Sequence, residues 1–277
     1  MEMRLIKMLN KGKLILLSLA IAIGCSKVPV TGRKQLDIVP NSQVLALAKS
    51  EYNEFLKTNK VVNNTSQAEE VEKVGRNIAN AAEAYLKKEK QTKLLEGYNW
   101  QFNLVEDQQI NAWCMPGGKV VVFTGILPIT KNDAGLATVM GHEIAHAIAR
   151  HGNERMSQGL TTQLGGLALD VALSSKPKET RNLFMAAYGV GTNVGILLPY
   201  SRLQESEADR IGLIFMSMAG YDPREAINFW ERMEKASQGG EPPEFLSTHP
   251  SHKTRIEELK KQLPEALKYY NHTVSKR

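Results

Sequence analysis

The chain has 277 residues, 42% of them hydrophobic and 23% charged, with two cysteines and a formal net charge of +6. That composition excludes a disordered, fibrous or disulfide-dense chain and is ample for one large core or two small ones. The first 24 residues hold four basic side chains against one acidic one, so the rest carries only about +3; with no basic stripe interleaved with aromatics, nucleic acid is not an expected partner.

Arg4, Lys7, Lys11 and Lys13 precede an apolar run from Leu14 to Ile23. The run is too short to span a bilayer and has the length of a signal-peptide core. Gly24-Cys25 follows it, which resembles a bacterial lipobox. The expectation is a signal peptide over 1–24, lipid on Cys25 and export to the periplasmic side of a bacterial envelope, at the outer membrane. Residues 25–41 carry Pro29, Gly32 and Pro40 with little periodicity and read as a lipidated tether. The body is then 42–277. If Cys25 carries lipid, Cys114 stands alone and the body folds without an internal disulfide.

The spacing predicts helices over 42–58 and 66–90; in the second, Val71, Val74, Ile78, Ala82 and Tyr85 recur on one face. Residues 100–105 alternate like a strand. Residues 110–115 and 119–124 read as two more, joined as a hairpin by Pro116-Gly117-Gly118.

The stretch Asp133–His151 contains His142-Glu143-Ile144-Ala145-His146. On a helix His142 and His146 project from one face and can hold a Zn²⁺ ion. Glu143 points beside the metal, where it can take a proton from the attacking water. Asp133 is a candidate cap for the helix start and Gly152 for its end. Residues 182–201 hold no charged side chain, and read as a buried or groove-lining helix rather than a membrane span. A further helix starts at Ser201, another at Asp222-Pro223-Arg224-Glu225, and a last one covers 252–263 before a frayed polar tail.

A catalytic zinc needs a third protein ligand and an open position. His151, Glu205 and Glu207 are the candidates. His151 is rotated off the ligand face. Glu205 shares a helix face with Asp209, so that one can bind metal while the other orients an imidazole. His249 precedes Pro250 and is therefore extended or turn-like. It could donate to a developing oxyanion, with Arg202 as competitor, or occupy the open metal position as a latch.

Gly141–His146, Ser201-Arg202 with Glu205–Asp209, Asn111-Ala112 with Pro116–Gly118, Thr248-His249-Pro250 and Pro29–Arg33 together resemble the gluzincin family of zinc metallopeptidases. That family includes the CAAX prenyl protease, the mitochondrial protease OMA, HtpX and the periplasmic proteins BepA and LoiP. The resemblance covers nearly all of the chain after Cys25 and is most like the lipoprotein branch. It implies a mostly helical α+β zincin-like domain with a small antiparallel sheet and one Zn²⁺ per chain. It implies His142, His146 and Glu205 as ligands, Glu143 as general base, and Asp209 holding an imidazole. It further implies an endopeptidase acting on unfolded or misassembled envelope proteins, anchored by lipid to the membrane. A zinc-dependent envelope chaperone with little cleavage is the rival expectation.

Overall fold

Residues 25–190, 201–237, 243–249 and 254–275 are described in the structure, a computed structural model of the chain. Strands β1 (Cys25–Lys27) and β2 (Lys34–Leu36) pair antiparallel, Cys25 opposite Leu36. This pair corrects the tether reading of 25–41. Val28 and Val39 are buried, the Gln35 amide donates to the Ala149 carbonyl at 2.7 Å, and Asp37 pairs with Arg150 at 2.9 Å. Prolines and glycines make a compact hairpin here because the body supplies partners for its polar groups. The signal-peptide expectation for 1–24 lies outside the described residues.

Helices α1 (Asn41–Thr58) and α2 (Ser66–Lys88) follow, with the short strand β3 (Val61–Val62) between them. Thr65 caps α2 by accepting from the Ala68 N–H at 3.2 Å. The predicted stripe Val71, Val74, Ile78, Ala82 and Tyr85 is buried. Strands β4 (Gln101–Val105), β5 (Ala112–Met115) and β6 (Lys119–Phe123) complete a four-stranded sheet of order β3-β4-β6-β5. The β5–β6 hairpin is antiparallel, as its turn predicts, with Gly117 and Gly118 both at positive φ. The sheet is nevertheless mixed: β6 returns into the slot between β4 and β5 and runs parallel to β4, Gln101 opposite Lys119. Both faces are covered. Leu104, Cys114, Val120 and Val122 join one core and Val105, Trp113, Val121 and Phe123 the other. That is why Val120-Val121-Val122 shows no polar alternation.

After a short helix α3 (Leu127–Thr130) comes α4 (Asp133–Ala149), buried from Gly135 to its end. Its cap is Asn132, whose side chain accepts from the Gly135 N–H at 2.8 Å, rather than Asp133. Nor does Gly152 end it. Arg150 takes the left-handed conformation at φ 60 and breaks the chain there, and Gly152 lies inside the next helix, α5 (His151–Thr162). At Gly152 a Cβ would stand 2.1 Å from the Tyr188 ring, so this glycine serves packing, not capping.

Helix α6 (Leu169–Ser175) precedes the uncharged stretch, and α7 (Pro177–Ala187) carries its first residues. Leu183, Phe184, Ala186 and Ala187 are buried, whereas 191–200 lie outside the described residues. Among the described residues no helix is long and apolar enough to cross a membrane.

Helix α8 (Arg202–Met218) starts on a capping box of Ser201 and Gln204. It crosses α4 at a glycine pair: a Cβ at Gly141 would come within 3.1 Å of the Gly212 carbonyl oxygen. Two backbones in contact bring the next side chains on each helix into one volume, His142 from α4 and Asp209 and Glu205 from α8. Helices α9 (Glu225–Ala236), α10 (Glu244–Thr248) and α11 (Arg255–Val274) close the fold. The expected frayed tail is helical to Val274, with Pro264 inside. Ala266 is buried and Glu265 pairs with Arg210 at 2.8 Å. Tertiary packing of this kind offsets the hydrogen bond a helical proline loses.

Candidate metal centre

Four donor groups converge where α4, α8 and the end of α10 meet: His142, His146, Glu205 and His249, all buried, with ligand atoms within 4.8 Å of one another. His142 Nε2 lies 3.0 Å from His146 Nε2 and 3.2 Å from His249 Nδ1. Glu205 brings Oε2 to 3.4 Å from His142 Nε2 and Oε1 to 3.3 Å from His146 Nε2. Donors at zinc bonding distance in a tetrahedron stand about 3.3 Å apart. Three imidazoles and one carboxylate at 3.0–3.4 Å spacing therefore fit that ion.

The charges agree with the spacing. Burial works against a charged His142, yet Glu205 and Asp209 outweigh it and push the imidazole up to about 9. Glu205 resists its burial because His249, Arg255 and His142 surround it, and it stays well below the usual carboxylate range. Burial holds Glu143 above that range, against the pull of His249 and His142.

Each outer nitrogen is held. The His142 Nδ1 atom stands 2.9 Å from Asp209 Oδ1, so Asp209 can keep the Nδ1–H tautomer and free Nε2 for a metal. Asp209 is itself gripped by Arg255, with Nε at 2.9 Å and Nη2 at 2.8 Å. Arg255 also reaches Glu205 at 2.9 Å and lies 3.4 Å above the Trp230 ring. The sequence reading missed Arg255. No local pattern marks it, because it meets Asp209 from 46 positions away along the chain.

His151 is not a member of the cluster, but it is no bystander. The break at Arg150 swings it behind His146, Nδ1 to Nδ1 at 2.9 Å. Glu207 faces His151 and Arg33 instead of the metal donors. Arg202 is exposed at the first turn of α8; the buried guanidinium against the carboxylates is that of Arg255. Cys114 is buried in β5, its thiol pushed well up by burial and by Glu143.

The model of peptidase family M48 matches residues 65–263. The chain belongs to peptidase family M48. M48 metallopeptidases use zinc, and the donor set above could hold that ion. The mitochondrial metalloendopeptidase OMA1 of Schizosaccharomyces pombe is 43% identical over 168 residues, 60% of this chain and 48% of that protein. The bovine mitochondrial metalloendopeptidase OMA1 is 35% identical over 249 residues, 87% of this chain and 46% of that protein. The beta-barrel assembly-enhancing protease of Escherichia coli is 30% identical over 162 residues, 57% of this chain and 33% of that protein. The chain spans about half the length of the curated relatives it matches.

These relatives correct one expectation. A periplasmic, outer-membrane location does not stand: the relatives at 40–43% identity are mitochondrial proteins, and the bacterial protease is the more distant match. The misreading has a physical origin. The expectation rested on a basic stretch followed by a short apolar run, a pattern that gives an address and not a fold.

Proposed function

We propose that this chain is a zinc-dependent endopeptidase that cleaves extended segments of protein substrates. The observation that carries the reading is the convergence of His142 Nε2, His146 Nε2 and the Glu205 carboxylate, with Glu143 buried beside them. In this reading those three residues are the metal ligands and Asp209 keeps His142 in the ligating tautomer. Bound zinc supplies Lewis acidity, which polarises a scissile carbonyl and makes water a nucleophile near neutral pH. Glu143 takes the proton of the attacking water and delivers it to the leaving nitrogen. Its burial suits this exchange, because a carboxylate raised from its ordinary range both accepts and returns a proton. Purified chain should cleave casein, lose that activity to a chelator and regain it on addition of zinc. Cleavage that survives complete zinc removal would reject the proposal.

The substrate lies as an added strand along β5, whose outer side is a sheet edge close to α4. Main-chain pairing of this kind selects for unfolded segments rather than for a sequence. That edge is partly taken here: the Phe245 N–H donates to the Ile110 carbonyl at 3.1 Å, just ahead of β5. The same segment delivers His249, whose Nδ1 faces Glu205 at 3.1 Å and whose Nε2 faces Glu143 at 3.3 Å. Its ring stacks on Phe245 with centroids 4.5 Å apart. His249 thus stands between the ligands and the general base, where the attacking water belongs.

This position favours the latch over the oxyanion donor, and it also favours low basal cleavage, the property that the rival chaperone reading requires. His249→Ala is expected to raise casein cleavage severalfold and to cause self-digestion. A hundredfold fall with zinc retained would make His249 an oxyanion donor instead. Unchanged activity would remove it from both roles and return Arg202 to consideration.

A further inference from the structure

His142 Nδ1 meets a carboxylate directly, whereas His146 Nδ1 meets a second imidazole. The chain of contacts then continues. His151 Nδ1 faces His146 Nδ1 at 2.9 Å, and His151 Nε2 stands 3.3 Å from Glu207 Oε2. Glu207 accepts from the Thr31 hydroxyl at 2.6 Å and from Arg33 Nε at 2.7 Å. The remaining guanidinium nitrogens of Arg33 lie on Glu154 at 2.8 Å each.

Only one arrangement of protons satisfies this line. His146 ligates through Nε2, so its proton is on Nδ1 and donates to His151. His151 must accept at Nδ1, so its own proton is on Nε2, the nitrogen that stands 3.3 Å from Glu207 Oε2. Glu207 must be an ionised acceptor, and Thr31 and Arg33 are donors that hold it so. The polarity is set at the far end, by two residues of the β1–β2 hairpin that lie more than a hundred positions from His146 in sequence.

We infer that Arg33, Glu207 and His151 are positioning residues for the zinc ligand His146, and that the N-terminal hairpin thereby controls metal affinity. This rests on the zinc reading above. The hairpin is a working part of the metal site: it fixes the tautomer and ring angle of one ligand, as Asp209 and Arg255 do for the other. Outer partners of this kind contribute about 10–100-fold in metal affinity.

The test is zinc affinity of the full chain by competition with a chromophoric chelator, together with the visible absorption of the cobalt-substituted protein. His151→Phe keeps the ring volume but cannot accept from His146. It is expected to weaken zinc binding by about 10–100-fold and to shift the cobalt bands. His151→Asn keeps an acceptor near the Nδ1 position and should recover part of that loss. Arg33→Gln, at a side chain that is 20% exposed, should weaken zinc in the same direction without unfolding the chain. Asp37→Asn loosens the same segment from Arg150 without touching Glu207, and should leave affinity unchanged.

Wild-type affinity and an unaltered cobalt spectrum in His151→Phe would overturn the inference while leaving the zinc site intact. Equal losses in Arg33→Gln and Asp37→Asn would overturn it too, since docking of the hairpin alone would then explain the effect. A wild-type chain that takes up neither metal would overturn the zinc reading itself, and this inference with it.

Discussion

Glu143→Gln is expected to lower peptide cleavage by at least about a hundredfold while leaving both the fold and the zinc content unchanged. Among the described residues the polar group its carboxylate faces is His249 Nε2, at 3.3 Å. Gln has the same shape and can still accept from that imidazole, so the local structure has no reason to move. What is lost is basicity. An amide cannot take a proton from water near neutral pH, so neither the nucleophile nor the leaving nitrogen receives the proton transfer it needs. The check is steady-state cleavage of casein or a denatured protein, with zinc measured by elemental analysis on the same sample. Near-normal turnover with full zinc would end the case for Glu143 as the base.

Glu205→Gln is expected to act one step earlier, on the metal. It should weaken zinc binding by more than about a hundredfold, beyond the range assigned to outer partners, and abolish cleavage as a consequence. Glu205 is the one carboxylate with an oxygen close to both His142 and His146. It is also the charge that Arg255 and His249 surround. Neutralising it leaves the Arg255 guanidinium with Asp209 alone of its two carboxylate partners, and a divalent ion would add to the positive charge. Because Arg255 keeps its bidentate pairing with Asp209, the metal-free variant should still fold, and its thermal unfolding in chelator provides the control. Zinc retained at one per chain in Glu205→Gln would show that His249 completes the ligand set.

Helix α4 and its three chemical residues were readable from the residues alone, since the four-residue spacing of His142 and His146 is a property of any helix. The stripe of α2 and the β5–β6 hairpin were readable for the same reason: each signal is local. Glu205 and Asp209 were visible as a shared face, yet spacing alone left Glu205, Glu207 and His151 open as third ligand. Packing places Glu205 nearest the two imidazoles. The Gly141–Gly212 contact sets how α4 and α8 cross, and that crossing turns Glu205 to the imidazoles while Glu207 faces the N-terminal hairpin.

The amino-acid sequence by itself determined the His-Glu-x-x-His helix, the mostly helical α+β class and the membership of a metallopeptidase family. Those rest on residue types at fixed short spacing, where backbone geometry converts position into direction. Tertiary structure alone decided that 25–41 folds onto the body, that β6 runs parallel to β4, that His151 sits behind His146, and that Arg255 neutralises Glu205 and Asp209. In each case the partners are far apart along the chain, from about twenty to more than a hundred positions, and no local rule relates them. They meet because a buried charge or hydrogen-bonding group must find its counterpart wherever the fold supplies one.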